Sequence, residues 1–279
     1  MFRGFYTAAS GMLAQQRRTE VLTNNMANAN TPGFKADQTS LRSFPEMLLK
    51  RMGQQTVPTE NGLNLPFNNE VGRLTTGVYM QETLPSFMQG DMKETGLGTD
   101  LALLDLNLPV NPETGLRGTV FYNAAGNDGE PRYTRNGNFT IDAGGYLTTA
   151  GGLYILDDAG ERIQLSSDRF TVSEDGMITG EAGETARLGI TFAQNPESLR
   201  KEGDGLFAAT EESILENAYN AQNVQFKIQQ GYLERSNVDA SRTMTDMMAA
   251  YRSFEANQKV LQAYDRSMEK AANEIGRIG

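Results

Sequence analysis

A chain of 279 residues, 38% hydrophobic and 22% charged, has the composition of a folded protein of one or two domains, and its mean hydropathy of −0.48 points to extensive exposed surface. It holds no cysteine, histidine or tryptophan, which excludes disulfides, thiol nucleophiles, imidazole bases and the usual zinc sites, so no cofactor and no metal are expected. The net charge of −10 is uneven, +4 over residues 1–52, 0 over 237–279 and −14 between them, and so acidic a middle opposes binding to nucleic acid.

The first segment, 1–52, reads as helical. No apolar run in the first 20 residues is long enough for a cleavable signal peptide. Nothing in the chain approaches the roughly 18 apolar residues of a membrane span. Phe2, Phe5, Ala9, Met12, Leu22 and Met26 mark an amphipathic helix from about Arg3 to Asn28. Then comes "NNMANANTPGFK". Asn28 or Asn30 is expected to take the left-handed position that closes the helix, and Pro32 prevents continuation. Gly33 allows a sharp turn that Phe34 anchors. Asn24 and Asn25 sit inside the helix, where amides cost stability. They could bond to neighbouring backbone, including that of another subunit. A short second helix is expected over Leu41–Arg51.

Residues 53–98 are rich in Gly, Pro, Asn, Gln and Thr and read as an irregular linker. Over 99–207, runs such as "GTVFYN", "PRYTR", "NFTID", "GYLTTA", "RFTV" and "MITG" alternate with Gly/Asp/Asn turns, which predicts a central β domain. The last segment, 208–279, again reads as helical. Ser213–Leu233 is expected as a helix. A stronger one follows a Ser236/Asp239 capping box. Met244, Met247, Tyr251, Phe254, Gln258 and Leu261 recur at spacings of three and four, and Gly276 and Gly279 end the helix. Met244, Met247 and Met248 suit either core or a pliant binding face. The layout predicts an α+β fold: long N- and C-terminal amphipathic helices packing as a coiled-coil-like pair, with a central all-β domain.

Motifs for small-molecule chemistry are weak. "GLGTDL" lacks the third glycine and the strand–helix context of a dinucleotide loop. "NAAGNDGE" and "DDAGER" lack the ligand spacing of a calcium loop and suit hairpin turns. The acidic residues cluster in those same turns.

"AASGMLAQQRRTEVLTNNMANANTPGFK" resembles the N-terminal signature of the bacterial flagellar basal-body rod and hook axial protein family. The match runs through Ser10, Gly11, Met12, Gln15, Asn24, Asn25, Ala27, Asn28, Thr31, Pro32, Gly33, Phe34 and Lys35. "GYLERSNVDASRTMTDMMAAYRSFEANQKVLQAYDRSMEKA" resembles its C-terminal partner, through Gly231, Leu233, Glu234, Ser236, Asn237, Val238, Phe254, Glu255, Asn257, Gln258 and Lys259. "FMQGDMKETGLGTDLAL" and "YTRNGNFTIDAGGYLTTAGGLYIL" also fit, and the pieces together cover more than half the chain. The likeness is strongest to the distal-rod-like subgroup. Where the family usually has a Gly-rich, Phe-Phe segment, this chain has "LDLNLPVNPETGLRGTVFYNAAGNDGEPRYTR", a departure over 104–132 that resembles the Gram-positive-type paralogue.

The resemblance implies a structural, non-enzymatic subunit of the basal-body rod. Such a subunit is exported by the flagellar type III system without a cleavable signal. It polymerises into a helical tube across the cell envelope that transmits torque and conducts exported subunits. Its implied partners are copies of itself, other rod and hook subunits and the export apparatus, with no small-molecule substrate. A hook or rod–hook adaptor subunit is the alternative within the class. A carboxylate-dependent cell-wall glycan hydrolase is the alternative outside it, and would show a deep pocket with two converging carboxylates about 5–10 Å apart.

Overall fold

The computed structural model describes residues 2–57, 63–112 and 115–275, with side chains over 3–47, 72–112 and 115–273. The chain forms two compact units. Met1–Asn24, Gln38–Thr83 and Ser241–Gly279 make the first, and Asn25–Asp37 with Leu84–Ala240 the second.

The first unit contains most of α1 (Phe2–Ala27), the pair β1 (Asp37–Ser43) and β4 (Val78–Pro85), the antiparallel hairpin β2 (Met47–Val57) and β3 (Leu63–Leu74), and α2 (Ala240–Lys270). α1 and α2 meet antiparallel, with small residues of α1 against longer side chains of α2. A Cβ added at Gly4 would lie 2.0 Å from the Tyr264 hydroxyl, and one at Gly11 would lie 3.0 Å from Asn257 Nδ2. Thr23 Oγ1 donates to Met247 Sδ at 3.7 Å. Ala8, Ala14, Thr243 and Ala250 are buried, the last two standing fourteen and seven residues before Asn257.

This corrects the expected coiled-coil-like pair. Its knobs would be the large apolar side chains of the two stripes, yet Met244 and Tyr251 are exposed, and Phe5, Met12, Leu22, Met26, Met247, Phe254 and Leu261 are only half-buried. The heptad periodicity of α2 exists, but the positions that contact α1 begin at Thr243, one residue before Met244. One residue is about 100° around a helix, so Met244 and Tyr251 look away from α1, while Met247 of the same stripe stays on the seam. The expected end at Gly276 and Gly279 and the side chain of Phe2 lie outside the described residues.

The second unit carries the short strands β5 (Met92–Glu94), β6 (Leu101–Asn107), β7 (Thr119–Ala125), β8 (Pro131–Thr134), β9 (Phe139–Ile141) and β10 (Leu147–Thr149). It continues with β11 (Phe170–Val172), β12 (Met177–Gly180), β13 (Thr185–Arg187), β14 (Ile190–Ala193), β15 (Arg200–Lys201), β16 (Leu206–Ala208), β17 (Leu215–Asn217), β18 (Gln225–Gln230) and β19 (Tyr232–Glu234). Its largest sheet has the order β15-β16-β8-β7-β14-β17, and the chain's return adds β18 to β6 and β19 to β5. β7 shows no polar alternation because both its faces are covered. Val120, Tyr122 and Ala124 enter one core with Leu101, Phe139 and Ile190, while Phe121 enters a second with Tyr133 and Phe207.

Two expected helices are strands. Leu41–Arg51 falls in β1 and β2, with Pro45 between them to break any helix. Ser213–Leu233 holds β17, β18 and β19. Val224, Phe226 and Ile228 recur at spacing two, and alternate positions of a strand share a face. Much of the expected irregular linker, 53–98, is also strand: β3, β4, β5 and the end of β2 fall within it.

Candidate functional site

The two signatures converge in the second unit on a buried cluster of charges. α1 ends with tight turns, Asn28 N donating to the Asn25 carbonyl and Ala29 N to that of Met26. Neither Asn28 nor Asn30 takes the left-handed conformation. Gly33 does, with φ of +67°. A Cβ there would also lie 2.5 Å from the Arg135 carbonyl and from Asn136 N, so glycine is required twice over. Gly33 N donates to the Glu234 carbonyl at 2.8 Å, which brings the turn against β19.

Lys35 and Glu234 then meet inside the protein, 1% and 2% exposed. Lys35 Nζ donates to Glu234 Oε1 at 2.7 Å and to the Met88 carbonyl at 2.9 Å. Arg135 Nε donates to Glu234 Oε2 at 2.9 Å, and its Nη1 to Asp105 Oδ1 at 2.9 Å and the Val120 carbonyl at 2.8 Å. Gly90 N completes the ring on Glu234 Oε1 at 2.9 Å. Two cations face two anions, the arrangement under which buried charge is tolerable. Burial, with the Arg135 charge beside it, pulls the Lys35 ammonium below its ordinary pKa against the attraction of Glu234. Burial pushes the Glu234 carboxyl up, but Arg135 and Lys35 outweigh it and hold the group below the ordinary carboxylate range.

Amides close the surrounding chain. Asn25 Nδ2 donates to the Asp37 carbonyl at 2.8 Å, and Asp37 N donates to Asn25 Oδ1 at 2.9 Å. Both ends of the Asn25 amide are thus engaged with neighbouring backbone of the same chain. Asn237 accepts from Ala36 N at 2.8 Å and donates to the Ser86 and Met88 carbonyls at 2.8 and 3.0 Å. Lys201 Nζ donates to both Asp37 carboxylate oxygens at 2.9 Å and sits 4.1 Å above the Phe34 ring.

The structure therefore gathers Asn25, Gly33, Phe34, Lys35, Glu234 and Asn237 in one place. Thr31 donates to Asn28 Oδ1 beside it, and Pro32, Leu233 and Ser236 line a neighbouring cleft. Ser236 Oγ accepts from Val238 N at 3.3 Å. Gly231 lies one strand away, its carbonyl accepting from Thr95 N and Gly96 N. Val238 is half-buried, and Asn24 and Ala27 are exposed on α1. The remaining signature residues are in the first unit. Gly11 and Asn257 meet there, Ser10 Oγ accepts from Val78 N, and Gln15 Oε1 is buried without a partner among the described residues. Met12, Phe254 and Glu255 are half-buried on the helices, with Gln258 and Lys259 exposed.

Arg135, Asp105, Asp37 and Lys201 escaped the sequence reading. The signal for Asp105 was a lone charge in the apolar run "LALLDLN", and for Arg135 its place in "YTRNGNFT". The cluster is ill suited to glycan hydrolysis. Glu234 has both oxygens engaged and a lowered pKa, the opposite of a general acid. Among the described residues no group of three or more His, Cys, Asp or Glu side chains could hold a metal ion, and no helix is long and apolar enough to cross a membrane.

Three family models match. Flagella basal body rod protein matches residues 5–35, the D1 domain of the flagellar hook protein FlgE/F/G matches 115–196, and the C-terminal domain of the flagellar basal body rod FlgEFG protein matches 229–274. The chain is 43% identical to the flagellar hook-basal body complex protein FlhO of Bacillus subtilis (strain 168) over 278 residues, 100% of each chain. It is 33% identical to the flagellar basal-body rod protein FlgG of Borreliella burgdorferi, covering 98% of each. It is 27% identical to FlhP of Bacillus subtilis, covering 96% of this chain and 97% of that one. With both end signatures converging on the buried cluster, and with relatives alike from end to end, the chain belongs to the flagellar basal-body rod and hook family of structural proteins.

Proposed function

We propose that the chain polymerises with copies of itself and with other rod and hook subunits into a helical tube of the basal body, and that this tube transmits torque and conducts exported subunits. Export by the flagellar type III system belongs to the same reading. One observation carries it. The pairing of α1 with α2 leaves Tyr6 and Leu13 of the first helix and Met244, Met248, Tyr251 and Val260 of the second exposed. Amphipathic helices with uncovered apolar stripes gain most of their stability from a partner. A tube of many lateral contacts supplies such partners and becomes stiff in doing so.

A hook-side position is the second reading, favoured by the name of the 43% relative, a hook-basal body complex protein. Imaging of basal bodies purified from a deletion strain separates the two. A rod subunit leaves the structure stopped below the hook, and a hook-side subunit leaves a complete rod. Complementation with Tyr251→Glu is expected to restore the folded protein but not swimming. Normal swimming by that strain contradicts the assembly role of the helix face.

A further inference from the structure

A cleft of about 540 Å³ lies in the second unit beside the Asn28–Gly33 turn. Its apolar lining is Ala29, Pro32, Met92 and Leu233, and the exposed Asp91 and Lys93 stand at its edge. That volume is in the range of clefts that seat a compact apolar group. In the first unit, Met244, Met248 and Tyr251 form one face of α2 at i, i+4 and i+7, exposed by 52%, 47% and 56%. The two units also differ in charge. The first holds 13 Lys/Arg and 10 Asp/Glu, net +3, and the second 12 and 25, net −13.

We propose that the Met244–Met248–Tyr251 face of one copy docks into the cleft beside Leu233 of the next copy. The inference rests on the assembly reading above and names its contact. Two arguments select this occupant. A face that pairs with its own copy makes an isologous contact and stops at a dimer. A face that enters a different surface of the next copy makes a heterologous contact that propagates into a helical array. Opposite net charges on the two units attract the basic helical unit of one copy to the acidic β unit of another and orient the encounter. Methionine suits such a contact because its unbranched side chain adapts to an irregular cleft.

The absence of native cysteine makes the test clean. Lys93→Cys and Tyr251→Cys chains, each otherwise complete, are purified separately, mixed at high concentration and oxidised. Because Tyr251→Cys removes part of the face, Arg252→Cys, its exposed neighbour, serves as a second probe. The expected result is a disulfide-linked product containing one chain of each kind as the main species, with loss of that product when Met248→Glu is added to the helix partner. Raised salt should slow its formation, since exposed charges are screened. If polymer forms but the only disulfides join two Tyr251→Cys chains to each other, the cleft is the wrong partner and the assembly reading survives. If neither polymer nor mixed cross-link forms, the assembly reading falls and the docking contact falls with it.

Discussion

The two units solve the problem of burial in different ways. The second closes on itself. β7 is covered on both faces, two apolar cores are filled, and the buried Lys35, Arg135 and Glu234 are paired within the chain. The first does not. Of the described residues of its helices, only Ala8, Ala14, Thr243 and Ala250 are buried, and Tyr6 and Leu13 remain 65% and 56% exposed. In a structural family the difference assigns the labour. The β unit is a self-sufficient fold, and the helical unit is a surface awaiting neighbours.

Substitutions sharpen that contrast, and the largest effect is expected at Glu234. Glu234→Leu leaves Lys35 and Arg135 buried with Asp105 as the remaining anion, a loss of about 3–5 kcal/mol. Chemical denaturation followed by near-ultraviolet circular dichroism of the tyrosines checks it. A midpoint shift near zero breaks the claim that the second unit depends on its internal charges. Asn25→Leu comes next. It strips the Asp37 N–H and carbonyl of their partners, at about 1–3 kcal/mol. An unchanged melt with loss of assembly would return Asn25 to a role between subunits.

Acid gives a smaller and graded effect. The folded pKa of Glu234 lies below its unfolded value, so its contribution is fully present above the ordinary carboxylate range and is lost as pH falls through the folded pKa. Melting temperature should decline in that acid window, and Glu234→Gln should decline less steeply. Identical acid slopes would detach the stability of the unit from this group. The smallest effect on the isolated chain is expected from Met248→Ser with Tyr251→Ser. Both side chains are exposed, so stability should change by about 0.5 kcal/mol or less, while motility is lost. A large drop in melting temperature would mean that these side chains already support the fold.

The legible parts of the fold were those with strong local rules. The terminal helices were readable from periodicity, and the strands at "GTVFYN", "PRYTR" and "MITG" from β-branched and aromatic runs between glycine turns. The β18 segment was misread because its glutamines masked a period of two at Val224, Phe226 and Ile228. The α1–α2 pairing was misread for a subtler reason. Apolar size marks where burial is most favourable, but not which neighbour does the burying. Within one chain the close approach went to Gly4 and Gly11, and Met244, Met248 and Tyr251 were left exposed. The buried cluster was half legible. Lys35 and Glu234 stood in the signatures, while their partners Arg135 and Asp105 are joined to them only by the folding of distant strands.

Amide hydrogen exchange on the dilute full-length chain tests the division most directly. Opening energies differ between regions that bury little and regions that hold a core. The account predicts weak protection over α1 before Asn24 and over α2, strong protection over β6, β7 and β8, and a rise in helix protection on assembly. Helices as strongly protected in dilute monomer as β7 would show that the first unit is complete without neighbours, and would contradict it.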